Sequence, residues 1–184
     1  MTTKSNTTNT KKRHTCNGYS IKDSGTTIRL MGWVDTVRDH GHLLFIHLRD
    51  VSGIIQLVFD PDSDAFSDAE NVRNESVITI NGKVAKRSDD TINEKLPTGE
   101  IEIMIDTVDV LSKSQTLPLP VNSDIEYGEE VRLKYRFLDL RRNKLHNNIL
   151  LRNQVISSIR KKMIDRGFFE FQTPILTSTS PEGA

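Results

Sequence analysis

From Thr27 to Leu111 apolar and polar residues alternate with period two, in runs separated by turn residues, the pattern of half-buried β-strands. Ile28, Leu30 and Val34 share one phase of a first run, which Gly32 breaks. In a second run Leu44, Ile46 and Leu48 share one phase, with Leu43, Phe45, His47 and Arg49 on the other. Ser52-Gly53 makes the turn into a third, where Ile55, Leu57 and Phe59 alternate with Ile54, Gln56 and Val58. Asp60-Pro61-Asp62 stops that strand. Asp64 to Glu75 then predicts a short helix, with Phe66, Ala69, Val72 and Arg73 at helical spacing. A fourth strand is expected over Val77–Val84 and a fifth over Glu100–Leu111. Five strands with a helix between the third and fourth is the layout of an OB-fold barrel, here residues 28–111.

The flanks read differently. Residues 1–27 form a tail and lead-in, whose first ten residues are Thr/Ser/Asn/Lys-rich and predict disorder. Residues 112–146, with Pro118, Pro120 and Gly128 and no periodicity at their start, read as a linker or hinge. A helix is expected from Asn147 to Arg166, with Ile149, Leu151, Val155, Ile159 and Met163 as its apolar stripe and Gly167 as its stop. Phe168-Phe169-Glu170-Phe171 alternates like a strand and ends at Thr173-Pro174. The chain closes on Ser180-Pro181-Glu182-Gly183-Ala184, in mid-loop, which suggests the N-terminal fragment of something longer.

Composition narrows the function classes. The 184 residues are 35% hydrophobic and 27% charged, ordinary for a globular protein. No run approaches the roughly 18 apolar residues of a membrane span. The tail lacks the apolar stretch of about 7–15 residues that marks a secretory signal and shows no amphipathic Arg helix, so a cytoplasmic protein is expected. One cysteine, Cys16, excludes an intrachain disulfide, and no Cys/His cluster has zinc spacing. Equal counts of 25 basic and 25 acidic residues at first argue against nucleic acid. The balance is uneven along the chain, however. Residues 28–111 hold eight basic and sixteen acidic residues, a net −8, between basic ends of +4 each. An acidic barrel suits a module that reads a few bases while other parts hold the phosphates.

An OB barrel normally presents the outer face of its second and third strands to single-stranded nucleic acid. Phe45 lies in the outer phase of the second strand, where a base can stack on its ring, and Gln56 in that of the third, where its amide can donate and accept along a base edge. Arg38 ends the first strand and offers a planar fork; Glu102, in the outer phase of the fifth, can accept from an exocyclic amine. The same spacing also admits a plain arrangement, with Phe45 packed under a loop and Gln56 and Glu102 as solvated strand residues.

Three segments together resemble one family: Gly32-Trp33-Val34 with Arg38-Asp39-His40-Gly41 and Leu44-Phe45-Ile46; Arg132 through Arg142, RLKYRFLDLRR; and Gly167 through Ala184. They are similar to the N-terminal part of a bacterial-type aspartyl-tRNA synthetase, a class II enzyme, over roughly residues 14–184. Gly167–Leu176 resembles class II motif 1, so that residues 147–184 would begin the catalytic domain, and Thr179–Ala184 resembles the aspartate-specific form rather than the asparaginyl and lysyl relatives. The resemblance implies aspartate–tRNA ligation: L-aspartate and ATP, with Mg2+, give an adenylate, and the acyl group passes to the 3' end of tRNA(Asp). It implies that Phe45 stacks on an anticodon base and that Arg38, Gln56 and Glu102 read anticodon edges. Glu182 would pair with the substrate ammonium, and Pro174 would lie at a homodimer interface as well as terminating a strand.

Histidine at position 40 resembles the form that accepts tRNA(Asn) as well as tRNA(Asp), and the loop at Asp89-Asp90-Thr91 matches the second position associated with that tolerance. No catalytic residue or ATP- or metal-binding residue is expected within this chain, because the family's motifs 2 and 3 lie later. The expectation is an inactive fragment that does not fold fully beyond about Leu140, with a barrel large enough to fold alone. Two other readings are a free-standing OB-fold module for single-stranded RNA and an asparaginyl or lysyl relative.

Overall fold

In the computed structural model, which describes residues 14–41 and 43–176, five strands close a barrel in the order β1-β2-β3-β5-β4. They are β1 (Thr27–Asp39), β2 (Leu44–Asp50), β3 (Gly53–Phe59), β4 (Val77–Lys86) and β5 (Ile101–Ser112). Helix α1 (Asp64–Glu70) lies between β3 and β4. All neighbours are antiparallel except β3 and β5, which pair in parallel through Leu57↔Ile103 and Val58↔Met104. One side chain of each alternating pair points inward, so Leu30, Ile46, Leu48, Ile55, Leu57, Phe59, Ile78, Ile80 and Ile103 fill the interior with essentially no exposed surface. The two-residue phases read from the sequence are those of this core. A closed barrel also leaves no free edge along its strands.

Two glycines let backbones approach. Gly32 continues β1 rather than breaking it, and a Cβ there would lie 2.5 Å from the Arg49 carbonyl oxygen. At Gly82 a Cβ would lie 2.3 Å from the Met104 carbonyl oxygen, beside a register shift in the β4–β5 pairing. Among the described residues of the lead-in, two 3-10 turns, Cys16–Gly18 and Ile21–Asp23, precede β1. Asp50 binds this segment to the β2–β3 turn. Its carboxylate accepts from the Cys16 amide (2.9 Å), the Ser52 amide (2.7 Å) and the Ser52 hydroxyl (2.6 Å). Burial alone would raise the Asp50 pKa, but these donors outweigh it and hold the carboxyl below its ordinary value. That contribution to stability is present above the ordinary carboxyl range and is lost as pH falls through the lowered value. Burial, with the Asp50 charge beside it, pushes the Cys16 thiol far above its usual range.

Several boundaries differ from the sequence expectation. Helix α1 ends at Glu70, not Glu75; the Val72 amide turns back to the Ala69 carbonyl (3.0 Å) and Glu75 takes a positive φ of 66°. Val72 is buried, so its apolar character reflects packing of a turn rather than helical period. Residues 112–146 are not all linker. Two short helices, α2 (Glu129–Lys134) and α3 (Arg136–Asp139), fall within them, and α4 (Asn143–Asp165) begins there too. Asp139 is buried at 1% exposure between Arg132 (3.0 Å) and Arg142 (3.6 Å), so these short helices are fastened by ion pairs rather than by an apolar stripe, which is why periodicity missed them.

The chain divides at Leu117/Pro118 into two compact units. In the second, α4 ends in a Schellman motif: Gly167, at φ 86°, donates to Ile164 (2.9 Å), and Phe168 to Met163 (3.1 Å). The apolar stripe of α4 is exposed, with Val155 at 50% and Ile159 at 57%. Phe168–Phe171 is not a strand; it has no neighbouring strand to complete a ladder among the described residues, and Phe169 and Phe171 are more than 80% exposed. No described helix is long and apolar enough to cross a membrane.

Gly82→Ala tests the close approach: forcing a methyl group against the β5 backbone is expected to lower the unfolding free energy by about 1–3 kcal/mol. The measurement is urea unfolding followed by fluorescence of Trp33, the single tryptophan; an unchanged midpoint would contradict the packing described.

Candidate nucleic-acid interface

The outer face of β1, β2, β3 and β5 gathers the polar side chains that the core excludes. On β2, Phe45 and His47 alternate with inward Leu44, Ile46 and Leu48. The β2–β3 register sets Phe45 opposite Val58 and His47 opposite Gln56. The β3–β5 pairing brings Met104 to Val58, and with it Glu102 to the flank of Gln56. Arg38 reaches this face because of a bulge. Val34 is inward and pairs with Leu48, so strict alternation would turn residue 38 inward as well. The extra residue at Asp35 shifts the register between Val34 and Thr36, and the parity inverts. Val37 then packs on the core, while Arg38 lies opposite Phe45 and stays exposed.

These side chains form a connected line. Arg38 Nη2 lies 2.8 Å from His47 Nε2 and 3.5 Å from its Nδ1. Gln56 lies directly opposite His47, and its Nε2 donates to Glu102 Oε2 at 3.1 Å. Arg87, the residue after β4, sits 3.6 Å from the same carboxylate. Its side chain is only 3% exposed. Nε donates to the Ile101 carbonyl (3.1 Å) and Nη1 to the Thr91 carbonyl (3.3 Å), while the buried Nη2 has no hydrogen-bond partner. A guanidinium buried with an unmatched donor is expensive, and it marks where an acceptor is lacking. Burial lowers the Arg87 pKa, Glu102 raises it and Arg38 lowers it further. The pair is therefore a charge held in place by one carboxylate and two backbone carbonyls.

At one margin His40 places its ring edge-on to Phe45, with centroids 5.5 Å apart and planes at 82°. It stands in the β1–β2 loop, where its amide donates to the Leu43 carbonyl (3.0 Å). Phe45 is half-buried, leaving part of its ring open. At the other margin the Arg87–Thr91 bond anchors the 3-10 turn Asp89–Thr91. Asp90 is fully exposed there, its carboxyl held below the ordinary value by the Ser88 hydroxyl. No hydrogen bond or ion pair joins Asp90 to the line itself among the described residues.

Four residues singled out in the sequence, Arg38, Phe45, Gln56 and Glu102, thus share one face, and His40 borders it. Phe45 is not packed away under a loop, and Gln56 and Glu102 are not freely solvated: Gln56 is 9% exposed and bonded to Glu102. Pro174 lies in the second unit, exposed and outside any strand. Glu182 falls outside the described residues. Sequence reasoning missed His47 and Arg87. The phase of His47 was visible, but nothing in the sequence set it apart from Phe45 and Arg49 on the same face. Arg87 follows the strand and has no periodic signature. Among the described residues no group of three or more His, Cys, Asp or Glu is placed to hold a metal ion.

Comparison with known proteins agrees with both units. The OB-fold nucleic acid binding domain family matches residues 28–111, and the family of class II tRNA synthetases (D, K and N) matches residues 128–184. The aspartate–tRNA(Asp/Asn) ligases of Phenylobacterium zucineum and Bartonella bacilliformis are each 57% identical over 173 residues, which is 94% of this chain and 29% of theirs. The chain therefore spans under a third of the length of the curated relatives it matches. The asparaginyl-tRNA synthetase from Pyrococcus horikoshii, solved with asparaginyl-adenylate, matches with a TM-score of 0.75 at 26% identity, over 93% of this chain and 38% of that one. An aspartyl tRNA synthetase from Entamoeba histolytica shares the fold, with a TM-score of 0.73 at 19% identity, over 89% of this chain and 40% of that one.

Glu102→Gln removes the only carboxylate in salt-bridge range of Arg87 among the described pairs. The expected cost is about 1–3 kcal/mol in chemical denaturation, because a buried guanidinium loses its counter-charge. Lys86→Gln, which breaks an exposed pair with Asp89, is expected to stay within about 0.5 kcal/mol.

Proposed function

The chain is a homologue of the bacterial aspartate–tRNA ligases, with an OB-fold anticodon-binding domain followed by a class II synthetase region, and on that premise we propose that its barrel reads the anticodon of tRNA(Asp) for such an enzyme. The line from Arg38 through His47, Gln56 and Glu102 to Arg87, beside the open ring of Phe45, is the observation that carries this reading. A base stacks on Phe45. Hydrogen-bonding groups already fixed by their neighbours meet its edge and those of adjacent bases, so little order is lost on binding. Arg38 supplies a fork to a base or phosphate, Glu102 accepts from a cytosine amine, and Gln56 presents its amide between them. Arg87 Nη2 gains the acceptor it lacks from a base or phosphate oxygen.

The curated relatives act on both tRNA(Asp) and tRNA(Asn) by name, and we extend that range to this protein, with His40 against Phe45 and Asp90 on the loop anchored by Arg87 as the residues that set it. In the complete enzyme L-aspartate is activated with ATP and Mg2+, and Glu182 receives the substrate ammonium. Residues 143–176, with Pro174, contribute to a homodimer interface that covers the exposed stripe of α4. The working location is the cytoplasm. The adenylate-forming step is assigned to the length of the relatives that this chain does not span, so the 184 residues alone are expected to give no ATP–pyrophosphate exchange.

Binding of an RNA hairpin carrying the aspartate anticodon tests the reading. Phe45→Ala is expected to weaken it about 5- to 150-fold, the equivalent of about 1–3 kcal/mol for a stacked base. Equal affinity for hairpins with and without that triplet, or no effect of Phe45→Ala, would refute base reading on this face. A hairpin with the asparagine triplet is expected to bind within about tenfold of the aspartate one, about 1.4 kcal/mol.

A further inference from the structure

The strand registers set one row of side chains across the outer face of all five strands. Arg38 on β1 lies opposite Phe45 on β2, and Phe45 opposite Val58 on β3. Val58 in turn pairs with Met104 on β5, and Met104 with Lys83 on β4. The middle three are apolar, whereas the row beside them, His47, Gln56 and Glu102, is polar. Val58 is only 3% exposed, yet it does not belong to the interior cluster of inward residues. Met104 keeps 36% of its surface, and Lys83 is exposed, with no ion pair among the described residues. A cation thus stands at each end of an apolar row. We propose, building on the anticodon reading above, that Met104 carries a second base, the neighbour along the RNA of the one on Phe45, and that Lys83 takes a backbone phosphate beside it.

Phe45 and Met104 stand two strand spacings apart, about 10 Å. A sheet that binds single-stranded RNA splays its bases onto side chains of different strands, so a platform on β2 and another on β5 serve two bases. Val58, short and nearly covered, forms the floor between them. Methionine suits the second position. Its thioether is polarizable, favours contact with aromatic rings and adapts to the shape of the ring it meets. To a base edge it offers only a weak acceptor, so it holds a base without choosing among the four. The choice falls to Gln56 and Glu102, one pleat along on the same two strands. The barrel, at net −8 over residues 28–111, has no general attraction for a phosphate backbone. Backbone contact near Met104 therefore needs a local cation, and Lys83 is the one in register with it. A methionine that served only to cover Val58 would affect stability and leave RNA affinity alone.

The test measures binding of the aspartate-anticodon hairpin to the 184-residue chain, with an abasic nucleotide placed at each anticodon position and at each flanking one in turn. Met104→Ala is expected to weaken the intact hairpin about 3- to 10-fold, whereas Met104→Leu, apolar and close in volume, stays within about threefold. The effect of Met104→Ala is expected to vanish with one abasic hairpin, whose site adjoins the one at which the effect of Phe45→Ala vanishes. Lys83→Gln is expected to reduce the slope of log affinity against log salt by about 0.7, the loss of one phosphate contact on a single strand. In the unaltered protein, labelled at its methionine methyl groups, the Met104 resonance is expected to move upfield under the ring of the bound base, while Met31, opposite Thr79, stays in place. Chemical denaturation separates lost affinity from lost fold. Phe45-dependent binding with the Met104 methyl unmoved, or with Met104→Ala equally effective on every abasic hairpin, would overturn the role of Met104 and leave the anticodon reading standing. An unchanged salt slope in Lys83→Gln would overturn the phosphate contact. Absence of hairpin binding, or binding indifferent to Phe45, would overturn both the proposal and the reading it rests on.

Discussion

A buried guanidinium needs a compensating carboxylate, and the Arg87–Glu102 pair is the constraint around which the outer face of this barrel is arranged. Arg87 joins the end of β4 to β5 through the Ile101 carbonyl and holds the following turn through that of Thr91. Glu102 answers its charge and also receives Gln56. Gln56 faces His47 across the β2–β3 ladder, and His47 lies against Arg38, so polar groups run without a break from β5 to the end of β1. Because Gln56, Glu102 and most of Arg87 are engaged by neighbours, this part of the face has few free conformations. Rigidity of this kind favours reading of base edges, where donors and acceptors must be aimed, over a loose hold on phosphates.

The barrel supplies the geometry that this line requires. Strand alternation separates an apolar interior from a polar exterior, and the parallel β3–β5 pairing closes the sheet so that Glu102 and Gln56 come within reach of each other. The bulge at Asp35 completes it by turning Arg38 outward. Asp35 in turn pairs with Arg49, which also binds Glu75 at 2.5 Å, so the bulge is fastened at the point where the strand departs from regular pairing. One irregularity in β1 thus has a packing cause and a consequence for the site.

Much of this was legible in the sequence. The inward residues of β2 and β3 follow a period of two, as do those of β1 up to Val34 and of β5 up to Ile105, and that phase placed Phe45, Gln56 and Glu102 on the outside. Arg38 was singled out for its position and chemistry, although the bulge that turns it outward has no sequence signature in a single chain. His47 and Arg87 were not legible for a different reason: their roles depend on partners distant along the chain, Arg38 for one and Glu102 for the other. Residues 112–146 show the same limit. Asp139 organises α2 and α3 through Arg132 and Arg142, and ion pairs have no period. Val72 misled in the opposite sense, since a buried turn residue can fall at helical spacing.

The charge distribution fits this division of labour. A barrel with a net −8 over residues 28–111 repels a phosphate backbone in general, so the proposed recognition rests on a few aimed groups. Arg87 is the group on which that account turns, being buried, charged and short of one acceptor. Side-chain NMR of its guanidinium, with and without the aspartate-anticodon hairpin, tests the account most directly. The prediction is that the Arg87 Nη protons shift and exchange more slowly with water when RNA is added, while those of Arg29, which bonds Thr79 elsewhere on the barrel, stay unchanged. Saturating hairpin binding with the Arg87 resonances unmoved would contradict it.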